Sequence, residues 1–164
     1  MNSRMLAIGI MAALLSTMPA RAQEKVFVIR HADKETGKPD PALTDAGRER
    51  ASNWAGLLIN AGIDVVINTD ARRSRETGEI IARSLDADRD EVPVADLAAL
   101  MDLMTFDYSE QTVLVVAHTE TIPGILGNMG VSETIELAED DYANLFLVAK
   151  PGGNDVTFVH LRMP

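Results

Sequence analysis

Residues 25–34 read KVFVIRHADK, and this stretch decides the fold. Val26, Phe27, Val28 and Ile29 are consecutive apolar residues rather than alternating ones, which predicts a strand covered on both faces, as in a parallel sheet between helical layers. The run stops at Arg30-His31. The polar segment after it, punctuated by Gly37, Pro39 and Pro41, predicts a loop.

Outward from this strand the chain alternates short β-rich runs with longer helical patterns, the signature of an α/β layer fold. A helix is expected from the capping hydroxyl of Thr44 to a stop at Gly62, with Trp54, Leu57, Leu58 and Ala61 on its apolar stripe. Residues 64–68, DVVIN, read as a second buried strand. Thr69 and Asp70 then offer cap oxygens to a helix over 71–84 that turns Ile80 and Ile81 to the core. Arg72, Arg73 and Arg75 crowd its first turns, where positive charge opposes the helix dipole and calls for a negative partner. A short strand is expected at 91–94 and a helix at 96–104. Residues 112–117, TVLVVA, form the most apolar strand, followed by a helix over 122–128 whose Pro123 suits a first turn. Residues 144–150 and 155–161 read as a β-hairpin. The expected fold class is therefore α/β: a three-layer sandwich with a mostly parallel central sheet, helices on both faces and a C-terminal β-hairpin.

The chain has 164 residues, of which the first 22 read as a signal peptide. Arg4 precedes an apolar run over 5–18, shorter than the roughly 20 residues a spanning helix needs, and Ala20 and Ala22 stand where a signal peptidase needs small residues. Cleavage after Ala22 would leave residues 23–164 as one catalytic domain, placed in the periplasm or secreted, with no stable membrane span. Cysteine is absent, so packing rather than disulfides must hold the fold. The net charge of −10 excludes nucleic acid as a partner and makes any local cluster of cations informative.

Ligands of open α/β sheets bind outside the carboxyl ends of the strands. Arg30-His31, Thr69 to Thr77, and His118 to Thr121 all fall there, and these clusters hold two of the chain's three histidines. Arginine matches phosphate oxygens bidentately and stays charged at physiological pH. Imidazole is largely neutral near pH 7 and can attack without a separate base. The pattern points to a phosphoryl group. His160, inside a strand-like run, reads as structural, and the acidic stretch from Glu136 to Asp141 as a surface turn. No metal or other cofactor is expected.

At these residues the sequence resembles the histidine phosphatase superfamily, the phosphoglycerate mutase-like family. VFVIRHADK (26–34) resembles its opening Arg-His-Gly motif, LTDAGRERA (43–51) its Leu-Thr-x-x-Gly stretch, INTDARRSRETGEIIA (67–82) its Ser-Pro-x-x-Arg-Ala-x-x-Thr-Ala segment, and TVLVVAHTETIPGIL (112–126) its strand ending in the second active-site histidine. The resemblance implies that His31 becomes phosphorylated, that Arg30 and Arg73 bind phosphate, and that His118 hydrogen-bonds the transferring group. His118-Thr119-Glu120-Thr121 resembles the His-Ala-Glu-Thr motif of the inositol-phosphate-cleaving branch, which makes Glu120 the proton donor, with Asp33, Asp96 and Asp102 as alternatives. Ala32 replaces the usual glycine, at a cost of about 1 kcal/mol if its φ must be positive. Thr69 stands for serine and Gly78 for alanine.

The expected function is metal-independent hydrolysis of a phosphomonoester through a phosphohistidine on His31. The substrate is a phosphorylated small molecule or a phosphorylated macromolecule, and the short span between Thr77 and Thr112 leaves the pocket open. The rivals are a non-catalytic anion-binding module and a phosphoglycerate mutase-type phosphotransferase.

Overall fold

The computed structural model describes residues 25–153 and 155–163. The expected leader, 1–22, lies outside the described residues. The elements are β1 (Lys25–Arg30), α1 (Asp45–Leu58), β2 (Val65–Thr69), α2 (Arg72–Leu85), β3 (Asp88–Val92), α3 (Leu97–Asp102), β4 (Val113–Ala117), α4 (Ile122–Asn128), β5 (Asn144–Ala149) and β6 (Thr157–Arg162). A π-helical turn, Leu103–Asp107, extends α3.

Six strands form one sheet in the order β3-β2-β4-β1-β5-β6. β3, β2, β4 and β1 are parallel, and β5 and β6 close the other edge antiparallel. The consecutive apolar residues of the strands divide between two cores. Val26, Val28, Val113 and Val115 face α3 and α4, while Phe27, Ile29, Leu114 and Val116 face α1 and α2. The mixed sheet thus lies between two helical layers, as the unbroken apolar runs require.

Several local expectations are corrected. α1 ends at Leu58, one turn before Gly62, and Leu57 is exposed rather than on the core stripe, which runs through Ala51, Trp54, Ala55 and Leu58. Gly62 does adopt a positive φ of 72°, where glycine alone is free of strain. Thr69 and Asp70 do not cap α2: Asp70 instead accepts from Val94 N, and Asp40, reaching over from the first loop, accepts from Arg72 N. The third strand is DRDEV, residues 88–92, not 91–94. It is an edge strand with only Val92 buried, so it carries no apolar signal.

Two glycines explain how tightly the site's elements pack. A Cβ on Gly47 would lie 2.1 Å from the Asp33 carbonyl oxygen, and one on Gly78 would lie 2.6 Å from Asn68 Oδ1. Glycine therefore lets α1 approach the loop after His31, and lets α2 approach β2. Gly47→Ala should destabilise the protein by about 3 kcal/mol, the cost of an overpacked contact against backbone. Gly56→Ala, with nothing within 4 Å of its Cβ on the exposed face of α1, should stabilise by about 0.5–1 kcal/mol. Urea denaturation of the two variants checks both signs.

Candidate active site

β1, β2 and β4 end side by side, so Arg30 and His31, Thr69, and His118 meet on one edge of the sheet. His31 N donates to Ala117 O at 3.0 Å, which ties the first strand end to the last residue before His118. α2 is bound to the same edge by Ser74, which accepts from Thr69 N and donates to Val116 O. Thr77 donates to Arg73 O and accepts from Ala32 N. The Arg-x-x-x-Thr spacing thus couples Arg73 to the residue after His31.

His31 and His118 are both buried, with ring centroids 5.1 Å apart. His31 Nδ1 lies 2.8 Å from the Ala32 carbonyl, and a carbonyl only accepts, so Nδ1 carries the proton. Nε2 then presents a lone pair, to which Arg73 Nε donates at 3.0 Å. Arg73 Nη2 donates to His118 Nδ1 at 3.2 Å, so His118 Nε2 carries the proton and donates to Thr69 Oγ1 at 2.7 Å. One arginine therefore sets the tautomers of both rings.

Burial, opposed by the bond to the Ala32 carbonyl and reinforced by His118, Arg73 and Arg30, pushes the His31 imidazole down to about 3. Burial and then Arg73 push His118 down to about 4, against the attraction of Glu120. Both rings are neutral at pH 7.

Arg30 is buried beneath the Tyr142 ring, its guanidinium carbon 4.2 Å from the ring centre. It donates to the backbone carbonyls of Ala138 and Glu139. Its Nε is buried and has no partner among the described residues; the Thr119 hydroxyl is in the same condition. Orphaned buried polar groups are costly, and both of these belong to residues that line one cleft. A cleft of about 280 Å3 opens here, lined by Arg30, His31, Lys34, Arg73, Thr119, Glu120 and Glu139.

Among the described residues, Arg30, Lys34 and Arg73 form no ion pair, whereas Arg72 pairs with Glu76 and Arg75 with Glu91. All three cations that line the cleft are thus left without carboxylates. The arrangement can accept a compact, multiply charged oxyanion and offer it a nucleophilic nitrogen.

Of the five site residues expected from sequence, the structure brings His31, His118, Arg30 and Arg73 together, and Glu120 lines the same cleft with its side chain exposed. The alternative acids stand elsewhere. Asp33 is paired with Arg50 at 2.6 Å, Asp96 caps α3 through Ala99 N, and Asp102 lies at the end of α3. Ala32 is fully buried without a positive φ, so the expected strain is absent. His160 bonds Asn144 Oδ1 and stacks on Phe146, a structural role.

Lys34, Thr119, Tyr142 and Glu139 are cleft or cleft-facing residues that sequence reading missed. Lys34 and Thr119 lie within the quoted motifs, and that placement was the available signal. The carbonyls of 138 and 139 belong to the stretch read as an acidic surface turn, and Tyr142 follows it directly. Their contribution is a loop conformation, which leaves no periodicity.

Residues 26–105 match the family model for the histidine phosphatase superfamily, branch 1. Among solved structures, the chain is similar to a protein histidine phosphatase SixA complexed with tungstate, at 17% identity and TM-score 0.66, covering 84% of this chain and 96% of that one. A SixA protein of Agrobacterium tumefaciens matches at 18% identity and TM-score 0.60, covering 82% and 97%. A mycobacterial glucosyl-3-phosphoglycerate phosphatase matches at 12% identity and TM-score 0.60, covering 85% and 97%. No curated protein matches the chain.

The depressed histidines carry a prediction for stability. An unfolded imidazole takes up its proton near the ordinary value of 6.5, well before the folded ones do, so stability is fully present above that pH and is lost as pH falls toward 3–4. Unfolding free energies between about pH 7 and about pH 4 should fall by about 1 kcal/mol per pH unit for each histidine, and a His31→Asn/His118→Asn variant should flatten the slope. Over residues 26–105 the chain is thus similar to the histidine phosphatase superfamily.

Proposed function

We propose that the protein is a metal-independent phosphomonoester hydrolase acting through a phosphohistidine on His31. The observation that carries this reading is the pairing of two buried, neutral histidines with two buried-edge arginines that have no carboxylate among the described residues. Such a site is charge-deficient until an oxyanion enters, and a phosphoryl group supplies both charge and acceptors.

The proposed reaction has two steps. His31 Nε2 attacks phosphorus in line while Arg30 and Arg73 hold the non-bridging oxygens, and the bond to the leaving oxygen breaks. Arg73 must turn from the rings to the phosphate. The dianion raises the affinity of His118 for a proton, and a protonated Nδ1 becomes a donor to the transferring group. Glu120, at the cleft rim, protonates the leaving oxygen. Water, giving a proton to the Glu120 carboxylate, then attacks phosphorus and breaks the N–P bond, releasing phosphate and restoring both His31 and the acid. Positioning and fixed positive charge supply the rate, as is usual for phosphoryl transfer. The likeness to a protein histidine phosphatase and to a glucosyl-3-phosphoglycerate phosphatase supports phosphoryl chemistry and leaves both macromolecular and small substrates in view. Export after cleavage at Ala22 is part of the proposal, and a mature N-terminus at Gln23 by mass spectrometry checks it.

Turnover of p-nitrophenyl phosphate tests the reading. His31→Ala should abolish it, and Arg73→Ala should cost about 3 kcal/mol of transition-state stabilisation, comparable with losing one oxyanion donor. Arg75→Ala, whose partner is Glu91, should leave the rate unchanged within about twofold. EDTA should have no effect. Because His31 is held near 3, it stays unprotonated in mild acid, and kcat/KM should persist well below the ordinary histidine value of 6.5 rather than fall through it. Stoichiometric phosphate binding with no turnover would instead select the anion-binding module.

A further inference from the structure

Beside the phosphate cleft lies a second hollow of about 160 Å3. Its floor includes Thr69, Val92 and Ala117, the last residues of β2, β3 and β4, so it opens on the same sheet edge as His31 and His118. Its walls are Leu97 and Leu100 of α3 and Gly124 of α4. Glu120 lines both the hollow and the phosphate cleft. The two spaces therefore meet at the residue placed next to the leaving oxygen.

The chemistry of the two spaces differs. The cleft is ringed by charge, while the hollow is mainly apolar apart from Thr69, Glu120, Thr121, Asn68 and Asp96, of which all but Glu120 are already hydrogen-bonded. An apolar void leaves its lining short of dispersion partners, and one of about 150 Å3 is large enough to take up benzene. A molecule fixed by its phosphate at His31 would cross Glu120 at its bridging oxygen and place its esterified group in the hollow.

We infer that the hollow is the leaving-group pocket, and that the preferred substrates are phosphate monoesters whose leaving group carries one aryl ring or a branched alkyl group of that size. This assignment rests on the hydrolase reading for the ester bond, but binding reads it separately. An anionic leaving group would meet the Glu120 carboxylate and is disfavoured. Gly124 contributes to the selection by its lack of a side chain. A Cβ there would meet only Leu97 Cδ2, at 3.4 Å, so space is left open between α3 and α4.

The test uses the full chain and non-hydrolysable phosphonates, with calorimetry as the readout. 2-Phenylethylphosphonate should bind roughly tenfold or more tightly than propylphosphonate, since it buries a ring's additional apolar surface. Gly124→Leu, on the exposed side of α4 and favourable for a helix, should fill the hollow and bring the ratio close to one. Leu97→Ala, on the opposite wall, should raise the affinity of 2-naphthylethylphosphonate relative to the phenyl compound. This gain is one that a misfolded variant could not give. Equal constants for the phenyl and propyl compounds in the unaltered protein, or a preference untouched by Gly124→Leu, overturn the assignment and leave the hollow as a packing void. Parallel turnover of benzyl and ethyl phosphate separates the two readings. Ring-selective binding without turnover contradicts the hydrolase and keeps the pocket, and turnover without ring selectivity does the reverse.

Discussion

Arg73 donates to both buried histidines, at 3.0 Å to His31 and 3.2 Å to His118, and the rest of the site depends on that pair of bonds. A guanidinium cannot give up its proton, so the ring nitrogens facing it must be acceptors and both rings must be neutral. The carbonyl of Ala32 and the hydroxyl of Thr69 take the remaining ring protons. The result is a nucleophilic lone pair and a concentrated positive charge in one buried place. Water solvates such a charge poorly there, and the orphaned Arg30 Nε and Thr119 hydroxyl add to the deficit.

The surrounding fold exists to hold that geometry with small residues. Ser74 and Thr77 each use one hydroxyl as donor and acceptor at once, locking α2 to β2, β4 and the residue after His31. Gly47 and Gly78 bring the helices within distances no side chain would permit. Preorganisation of this kind matters because fixed donors act on a developing charge without having to reorganise. The short motifs around His31, Arg73 and His118 therefore read as packing instructions as much as lists of reactive groups.

The central strands and Arg30, His31 and His118 at their ends were legible because burial on both faces leaves unbroken apolar runs that stop abruptly at Arg30 and His118. The same logic hid β3, whose edge position demands charged side chains instead of apolar ones. Capping was misread at Thr69 and Asp70 because tertiary partners, His118 and Val94, claim those oxygens. Tyr142 and the carbonyls that cradle Arg30 come from a loop whose conformation no local pattern encodes. The strain expected at Ala32 did not arise, since its backbone keeps a negative φ while its methyl packs against Leu43 and Ala51.

The central claim is that His31 Nε2 is the atom that takes the phosphoryl group. Its most direct test is rapid quenching of the protein during turnover of a phosphate ester, at alkaline pH where phosphohistidine survives, with subsequent mass spectrometric mapping of the phosphorylated peptide. The account predicts phosphate on the peptide bearing His31, attached at Nε2, and absent from His31→Ala. Phosphate on His118, or turnover with no phosphorylated intermediate under conditions that preserve it, would contradict the account.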